Sequence, residues 1–224
     1  MSTFIEPIQQ ADTWLLTQIN FDGPTAYDQF WMLYTNRLTW IPLAAVVVWC
    51  LLRHQTWRNA LLIILAFGLM FLISDFVVAS IIKPWVARPR PSRDVQVMHL
   101  LSYVNDYRGG RFGFPSNHAS NGFAAATMLT LFFRRPLVIA SAFLWAIGSC
   151  YSRLYLGIHY PTDILTGAVI GTLTAFAVWY LYRQGYARWD SPLTSHPSPL
   201  TSHLSIPLVF VLTIAVLLLC SLVL

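Results

Sequence analysis

The sequence predicts an all-α integral-membrane helical bundle of about six transmembrane helices, with an N-terminal interfacial helix. Three observations predict it. Of the 224 residues, 56% are hydrophobic and only 10% are charged, and mean hydropathy is +0.57; a soluble domain usually carries about a quarter charged residues. Apolar stretches recur at 38–52, 59–82, 119–133, 137–156, 162–182 and 205–224, and about 20 such residues cross a bilayer. Trp31, Trp40, Trp57, Trp85, Trp179 and Trp189 fall near the ends of these stretches, where aromatic rings gather at a membrane–water boundary.

At the N-terminus, Phe4, Ile5, Ile8, Trp14, Leu15, Leu16 and Ile19 are interleaved with polar and acidic residues, and Asp22-Gly23-Pro24 closes the run. A helix over 7–20 is therefore amphipathic; it lies on the membrane surface or packs on the bundle. It is not a secretory signal, because Glu6 and Asp12 stand where a basic start belongs and no apolar core follows. The first stretch borrows residues 31–37 to reach spanning length, and the third borrows Asn117–Ser120. The 59–82 and 205–224 stretches suffice alone. Arg134-Arg135-Pro136 separates two helices sharply. Residues 191–204 repeat SPLTSHP as SPLTSHL, a Ser/Pro/Thr-rich linker in which His196 and His203 are duplicated rather than metal-binding. The chain thus divides into a membrane domain over 1–190, a linker over 191–204 and a final span over 205–224.

Composition excludes several functions. Cys50, Cys150 and Cys220 all lie in apolar stretches, so they form no disulfide framework. No Cys/His spacing suits zinc and no paired acidic motif suits magnesium, so no metal or cofactor is expected. The net charge of +5 and the pI near 9.3 fit an anionic surface or substrate. Nucleic acid is excluded as a partner, since the basic residues form no continuous run and apolar spans separate them. No residue pattern specifies an oligomeric state.

With six spans, Arg53, Arg58, Arg134, Arg135, Arg183 and Arg188 share one side. Arg37, Lys83, Arg88, Arg90, Arg93, Arg108, Arg111 and Arg153 share the other. The first group sits in short turns tight against span ends, where positive charge biases a loop to the cytoplasm. Several of the second group are candidate phosphate ligands. The expected location is a bacterial inner membrane, with the second group facing the periplasm.

That face carries three polar clusters, KPWVARPRP at 83–91, PSNH at 115–118 and SRLYLGIHYPTD at 152–163. In the first, Lys83 and Arg90 are seven apart, and Pro84, Pro89 and Pro91 prevent a regular helix, so both cations can turn to one point. Taken alone, the pair also reads as snorkelling span-end cations. In the second, Ser116 is a candidate N-cap for the helical run that follows. The unpaired N–H groups at such a helix start attract an anion, with His118 in the first turn. In the third, Pro161 suits a first helical position, and His159 and Asp163, four apart, come within reach of each other. A carboxylate bonded to Nδ1–H fixes the tautomer and leaves Nε2 free to attack. Arg153 adds a forked cation for phosphate oxygens. Asp75, inside the second span, reads as a packing or supporting carboxylate. His54, Asp94, His99, Asp106, Arg108 and Arg111 read as loop surface, with Arg108 and Arg111 close enough to the second cluster to touch a headgroup.

Lys83-x6-Arg90-Pro91, Pro115-Ser116-x-His118 and Ser152-Arg153-x5-His159-x3-Asp163 together resemble the type 2 phosphatidic acid phosphatase superfamily, in its membrane branch of bacterial lipid phosphatases. The resemblance covers 83–163 and implies a helical bundle with a metal-free site at its periplasmic end. It implies His159 as the nucleophile that becomes phosphohistidine, Asp163 as its orienting partner and His118 as the acid for the leaving oxygen. Lys83, Arg90, Ser116, Asn117 and Arg153 would hold the phosphate. One departure stands out: glycine is usual in the family where this chain has Asn117. The implied activity is hydrolysis of a membrane lipid phosphomonoester or diphosphate, with undecaprenyl diphosphate the first expectation. The alternatives are a lipid A phosphatase, a phosphatidylglycerol phosphate phosphatase or a lipid phosphotransferase. A binding or transport protein is a further alternative, disfavoured because His159, His118 and Asp163 are all present.

Overall fold

Small side chains decide where the centre of the bundle lies. In the computed structural model, which describes residues 5–53, 55–189 and 204–223, helix α6 (Asn117–Phe133) buries Ala119, Ser120, Gly122 and the whole run Ala124–Leu129. It is enclosed by α4 (Trp57–Asp75), α7 (Pro136–Tyr155) and α8 (Pro161–Trp189). Gly167 and Gly171 of α8 face the carbonyls of Ser116 and Ser120, and a Cβ at Gly171 would overlap the Ser120 carbonyl. The small-x3-small spacing lets the two backbones touch, which is how helices gain dispersion contact where lipid removes the hydrophobic drive.

Around this centre, α4 continues through a π-helix (Phe76–Ile82) into the short α5 (Lys83–Val86), making one membrane-length element over Trp57–Val86. Thr56 caps it by accepting the Asn59 N–H at 3.3 Å. The helix therefore runs one turn past Pro84, although the prolines predict a stop there; it ends at Ala87, which is left-handed at φ 51°. The preceding π turn already departs from the i to i−4 ladder, so the N–H that Pro84 lacks leaves no gap in it. Ahead of α4, α1 (Ile5–Ile19) is followed by α2 (Thr25–Thr35) and α3 (Ile41–Leu52). Helix α2 and the segment Arg37–Leu52 bend by 67° across their break. The last helix, α9 (Ser205–Val223), packs on α2, α3 and α7.

The apolar runs predict six spans. Among the described residues, four helices are individually long and apolar enough to cross a membrane, and the bent pair makes a fifth. The difference is α6, whose 17 residues sit at the lower limit of about 17 for a span. Its surface is covered by protein, so its composition is set by close packing rather than by contact with lipid. The linker over 191–203 with His196 and His203, His54, and the side chain of Trp189 lie outside the described residues.

The tryptophans divide. Trp57 and Trp85 are 71% and 84% exposed, as boundary residues should be. Trp40 is buried instead, with its ring 4.8 Å from Tyr34 and 6.1 Å from both Trp145 and Phe210. Trp31 packs on Tyr151 at 4.6 Å and Trp179 on Phe132 at 4.8 Å. These three fill gaps between helices, because a large ring buries more area than an aliphatic side chain.

Helix α1 docks on the bundle through buried Asp12 and Leu16, and through Asn20 just after it, while Ile8, Trp14 and Leu15 stay exposed on its outer side. By chain order, the C-terminal ends of α5 and α7 and the N-terminal ends of α6 and α8 meet at one end of the bundle. The turns carrying Arg134, Arg135, Arg53 and Arg58 lie at the other.

Candidate active site

The three clusters converge at that first end. Helix α7 closes with Arg153; Gly157, at φ +66°, then reverses the chain, a conformation that glycine adopts without strain. The reversal turns His159 inward, where it is 1% exposed. Its Nδ1 lies 3.2 Å from Asp163 Oδ2, and its Nε2 lies 3.1 Å from Arg90 Nη1. A guanidinium can only donate, so Nε2 carries the lone pair and the proton sits on Nδ1, facing the carboxylate. Burial first, then the charges of Arg90, Lys83 and Arg153, hold the His159 imidazole well below the ordinary histidine range. It is a neutral base with a single available lone pair.

Asp163 is buried and fully engaged. Its Oδ2 also accepts the Tyr160 N–H at 3.0 Å, and its Oδ1 accepts Arg88 Nη1 at 3.1 Å. Its backbone carbonyl accepts the Ser116 N–H at 3.0 Å, which ties the start of α8 to the start of α6. Ser116 caps α6, its Oγ accepting the Ala119 N–H at 3.4 Å. His118, in the first turn, makes no hydrogen bond among the described residues, while its neighbourhood includes the charges of Arg153, Arg37 and Arg90.

The cations are held differently. Arg90 also donates from Nε to the Phe112 carbonyl at 3.2 Å and from Nη1 to the Ile158 carbonyl at 3.3 Å. Arg153 is 3% exposed, reaches Tyr107 and the Thr35 carbonyl only at 3.5 Å, and leaves Nε buried without a partner. A buried guanidinium so loosely satisfied is suited to an incoming anion, because unmet buried donors are costly. Lys83 Nζ donates to Asn117 Oδ1 at 2.6 Å, and the Asn117 amide donates in turn to Asp75 Oδ1 at 3.0 Å. Asn121 donates to the same oxygen at 2.9 Å. The side chain that replaces the usual glycine thus anchors Lys83 to the span carboxylate, while its backbone N–H stays at the helix start.

Sequence reasoning missed Arg88 and Asp12. Arg88 bridges Asp163 and Asp12, the latter at 2.7 Å. The signal was the Arg-x-Arg spacing at 88 and 90: in an extended segment alternate side chains share a face, so both arginines point to the dyad. Asp94 is not simply solvated, since it accepts the Tyr160 hydroxyl at 3.0 Å. Arg108 pairs with Asp106 at 2.8 Å and stacks on Tyr103, away from the dyad. Among the described residues, no group of three or more His, Cys, Asp or Glu side chains is gathered to hold a metal ion.

A neutral imidazole whose lone pair faces Arg90, with the charges of Lys83 and Arg153 also acting on it, can accept a phosphoryl group. Set in a membrane bundle, this defines a membrane-embedded phosphoryl-transfer enzyme. The family model for the PAP2 superfamily matches residues 61–187, and the chain belongs to that superfamily. A lipid A 4′-phosphatase of Bacteroides thetaiotaomicron is 36% identical over 188 residues, 84% of each chain. One of Porphyromonas gingivalis is 30% identical over 200 residues, 87% of this chain and 83% of its own. The fold matches the crystal structure of a transmembrane PAP2 type phosphatidylglycerolphosphate phosphatase from Bacillus subtilis, with TM-score 0.60 and 22% identity over 84% of this chain and 90% of that one. The protein is a multi-pass membrane lipid phosphatase.

Proposed function

We propose that this phosphatase removes a phosphate monoester from the sugar headgroup of a lipid A-type glycolipid, through a phosphohistidine. The observation that carries the chemistry is the His159–Asp163 dyad with its lone pair facing Arg90. Nε2 attacks phosphorus, the bond from phosphorus to the sugar oxygen breaks, and His118 protonates that oxygen. Water then breaks the P–N bond, giving up its proton to His118 and releasing inorganic phosphate. Arg90, Arg153, Lys83, the Asn117 N–H and the Ser116 hydroxyl offset charge on the equatorial oxygens; positioning and electrostatics supply most of such catalysis.

The first substrate expectation, undecaprenyl diphosphate, gives way to its alternative. Both relatives named above, each matching most of this chain, are lipid A 4′-phosphatases by name. The test is phosphate release in detergent with EDTA present, from lipid A, undecaprenyl diphosphate, phosphatidylglycerol phosphate and phosphatidic acid. Lipid A is expected to turn over at least tenfold faster than the others, and EDTA to leave the rate unchanged. A preference for the diphosphate would overturn the substrate assignment. Loss of activity restored by magnesium would overturn metal independence.

The site is assigned to the periplasmic face of an inner membrane, supported by the arginine-bearing short turns at the opposite end of the bundle. Residues 1–190 are assigned as the phosphatase domain and 205–224 as a final span buttressing the bent pair. Val95, 75% exposed beside the site, provides the check. In a Cys220→Ser background, Val95→Cys should react with a membrane-impermeant maleimide in intact spheroplasts. Labelling only after lysis would place the site in the cytoplasm.

A further inference from the structure

Asp12 and Arg88 have no part in the chemistry above, yet they form the most heavily bonded charge pair beside the dyad. Asp12 comes from α1 and is 2% exposed. Its Oδ2 accepts Arg88 Nη2 at 2.7 Å, and its Oδ1 accepts the Thr162 N–H at 2.9 Å. The Thr162 hydroxyl also donates to Oδ2. The other amino group of Arg88 reaches Thr162 Oγ1 at 2.8 Å and Asp163 Oδ1 at 3.1 Å. The guanidinium lies 3.9 Å above the Tyr160 ring. Helix α1 is pinned again at Asn20, which donates to the Tyr155 carbonyl at 2.6 Å and accepts the Ser102 N–H at 2.8 Å.

We propose that Asp12 is a positioning residue for the catalytic dyad, acting through Arg88 to set the orientation and effective charge of Asp163. Arg90, Lys83 and Arg153 already crowd His159 with positive charge. A fourth cation bonded directly to Asp163 would cancel the carboxylate that the imidazole needs once it carries phosphorus. Asp12 shares Arg88, so the guanidinium fixes Asp163 Oδ1 in place while Oδ2 keeps its charge toward Nδ1. Burying a carboxylate and a guanidinium contributes little to stability compared with an apolar pair of similar size, so the arrangement is better explained by what it does to Asp163. The N-terminal helix is thereby part of the catalytic apparatus. This inference rests on His159 as the nucleophile.

The test is the acid limb of kcat/KM against pH, which reports the free enzyme, measured with whichever lipid phosphate the wild type hydrolyses fastest. The charged or titratable groups facing His159 are Asp163 from α8, Arg88 and Arg90 from the segment after α5, and Lys83 from α5. Arg153 from α7 and His118 from α6 also act on it, and Asp12 from α1 acts through Arg88. Substrate ionisation is common to all variants and cancels in their comparison. In Asp12→Asn, Arg88 loses its counter-charge, protonation of His159 becomes harder, and the limb moves down by about half a pH unit. In Arg88→Gln, a positive charge leaves, and the limb moves up by a similar amount. The double variant returns toward the wild-type position. Slower variants with unmoved limbs would overturn the proposal. If one single variant does not fold, the other decides alone, since each carries its own sign. Base-stable phosphoenzyme trapped from the wild type tests the nucleophile separately; its absence would remove the His159 reading whatever the variants do.

Discussion

His159→Ala abolishes phosphate release, with a loss of at least about 10⁴-fold in kcat, because a covalent route without its nucleophile has only residual electrostatic stabilisation left. The imidazole is 1% exposed and is bonded to Asp163, Arg90 and the Gly113 backbone. Its removal leaves a small polar cavity that water can enter, at a cost of about 1–3 kcal/mol. The protein therefore remains folded, as a monodisperse detergent-solubilised species with an intact melting transition would show. The cavity gives a second readout. Added imidazole should restore part of the activity, since a free ring can occupy the vacated position against Asp163. Appreciable turnover by the folded variant without imidazole would remove His159 from the nucleophile role.

Asp163→Asn is expected to lower kcat by about 10³–10⁴-fold, the scale seen when a catalytic histidine loses its tautomer-setting carboxylate. The carboxylate takes three donors: His159 Nδ1–H, the Tyr160 N–H and Arg88 Nη1. An amide has one acceptor oxygen. If its NH₂ faces His159, the proton moves to Nε2 and the lone pair points away from phosphorus. If its NH₂ faces Arg88, two donors meet in a buried site. The ion pair with Arg88 is lost in both orientations, so the variant should also melt several degrees lower. A kcat within tenfold of wild type would show that Asp163 does not orient the nucleophile.

Much of this site is legible in the amino-acid order. Lys83, Arg90, Ser116, His118, Arg153, His159 and Asp163 are all expected at one end of a helical bundle. Each lies at or just beyond the end of a helix there, where proline, serine and histidine interrupt apolar runs. Local chemistry suffices for such features: Ser116 caps, Pro161 opens α8, and a four-residue spacing joins His159 to Asp163. Other features depend on partners distant in the chain. Asp12 is 76 residues from Arg88, and nothing near either residue points to the other. Asn117 reads as a departure from a glycine position, and only the approach of the span carrying Asp75 and Lys83 gives its side chain a bridging role. Trp40 and Trp57 each follow a threonine near the start of an apolar run, but one packs against Phe210 of α9 and the other stays exposed.

Two properties of the protein are carried by the chain alone: it is a membrane-embedded helical bundle, and the residues of its candidate phosphoryl-transfer site gather at one end. Both follow from local quantities, namely apolar run length against bilayer thickness and residue type at helix ends. Three further properties arise only in the assembled bundle. Helix α6 is central and enclosed by protein, the first span is bent, and α1 brings a carboxylate to the dyad through Arg88. These depend on which faces meet across the bundle. Close backbone approach at Gly171 and mutual burial of distant charges are set by packing between helices, which no single stretch of sequence contains.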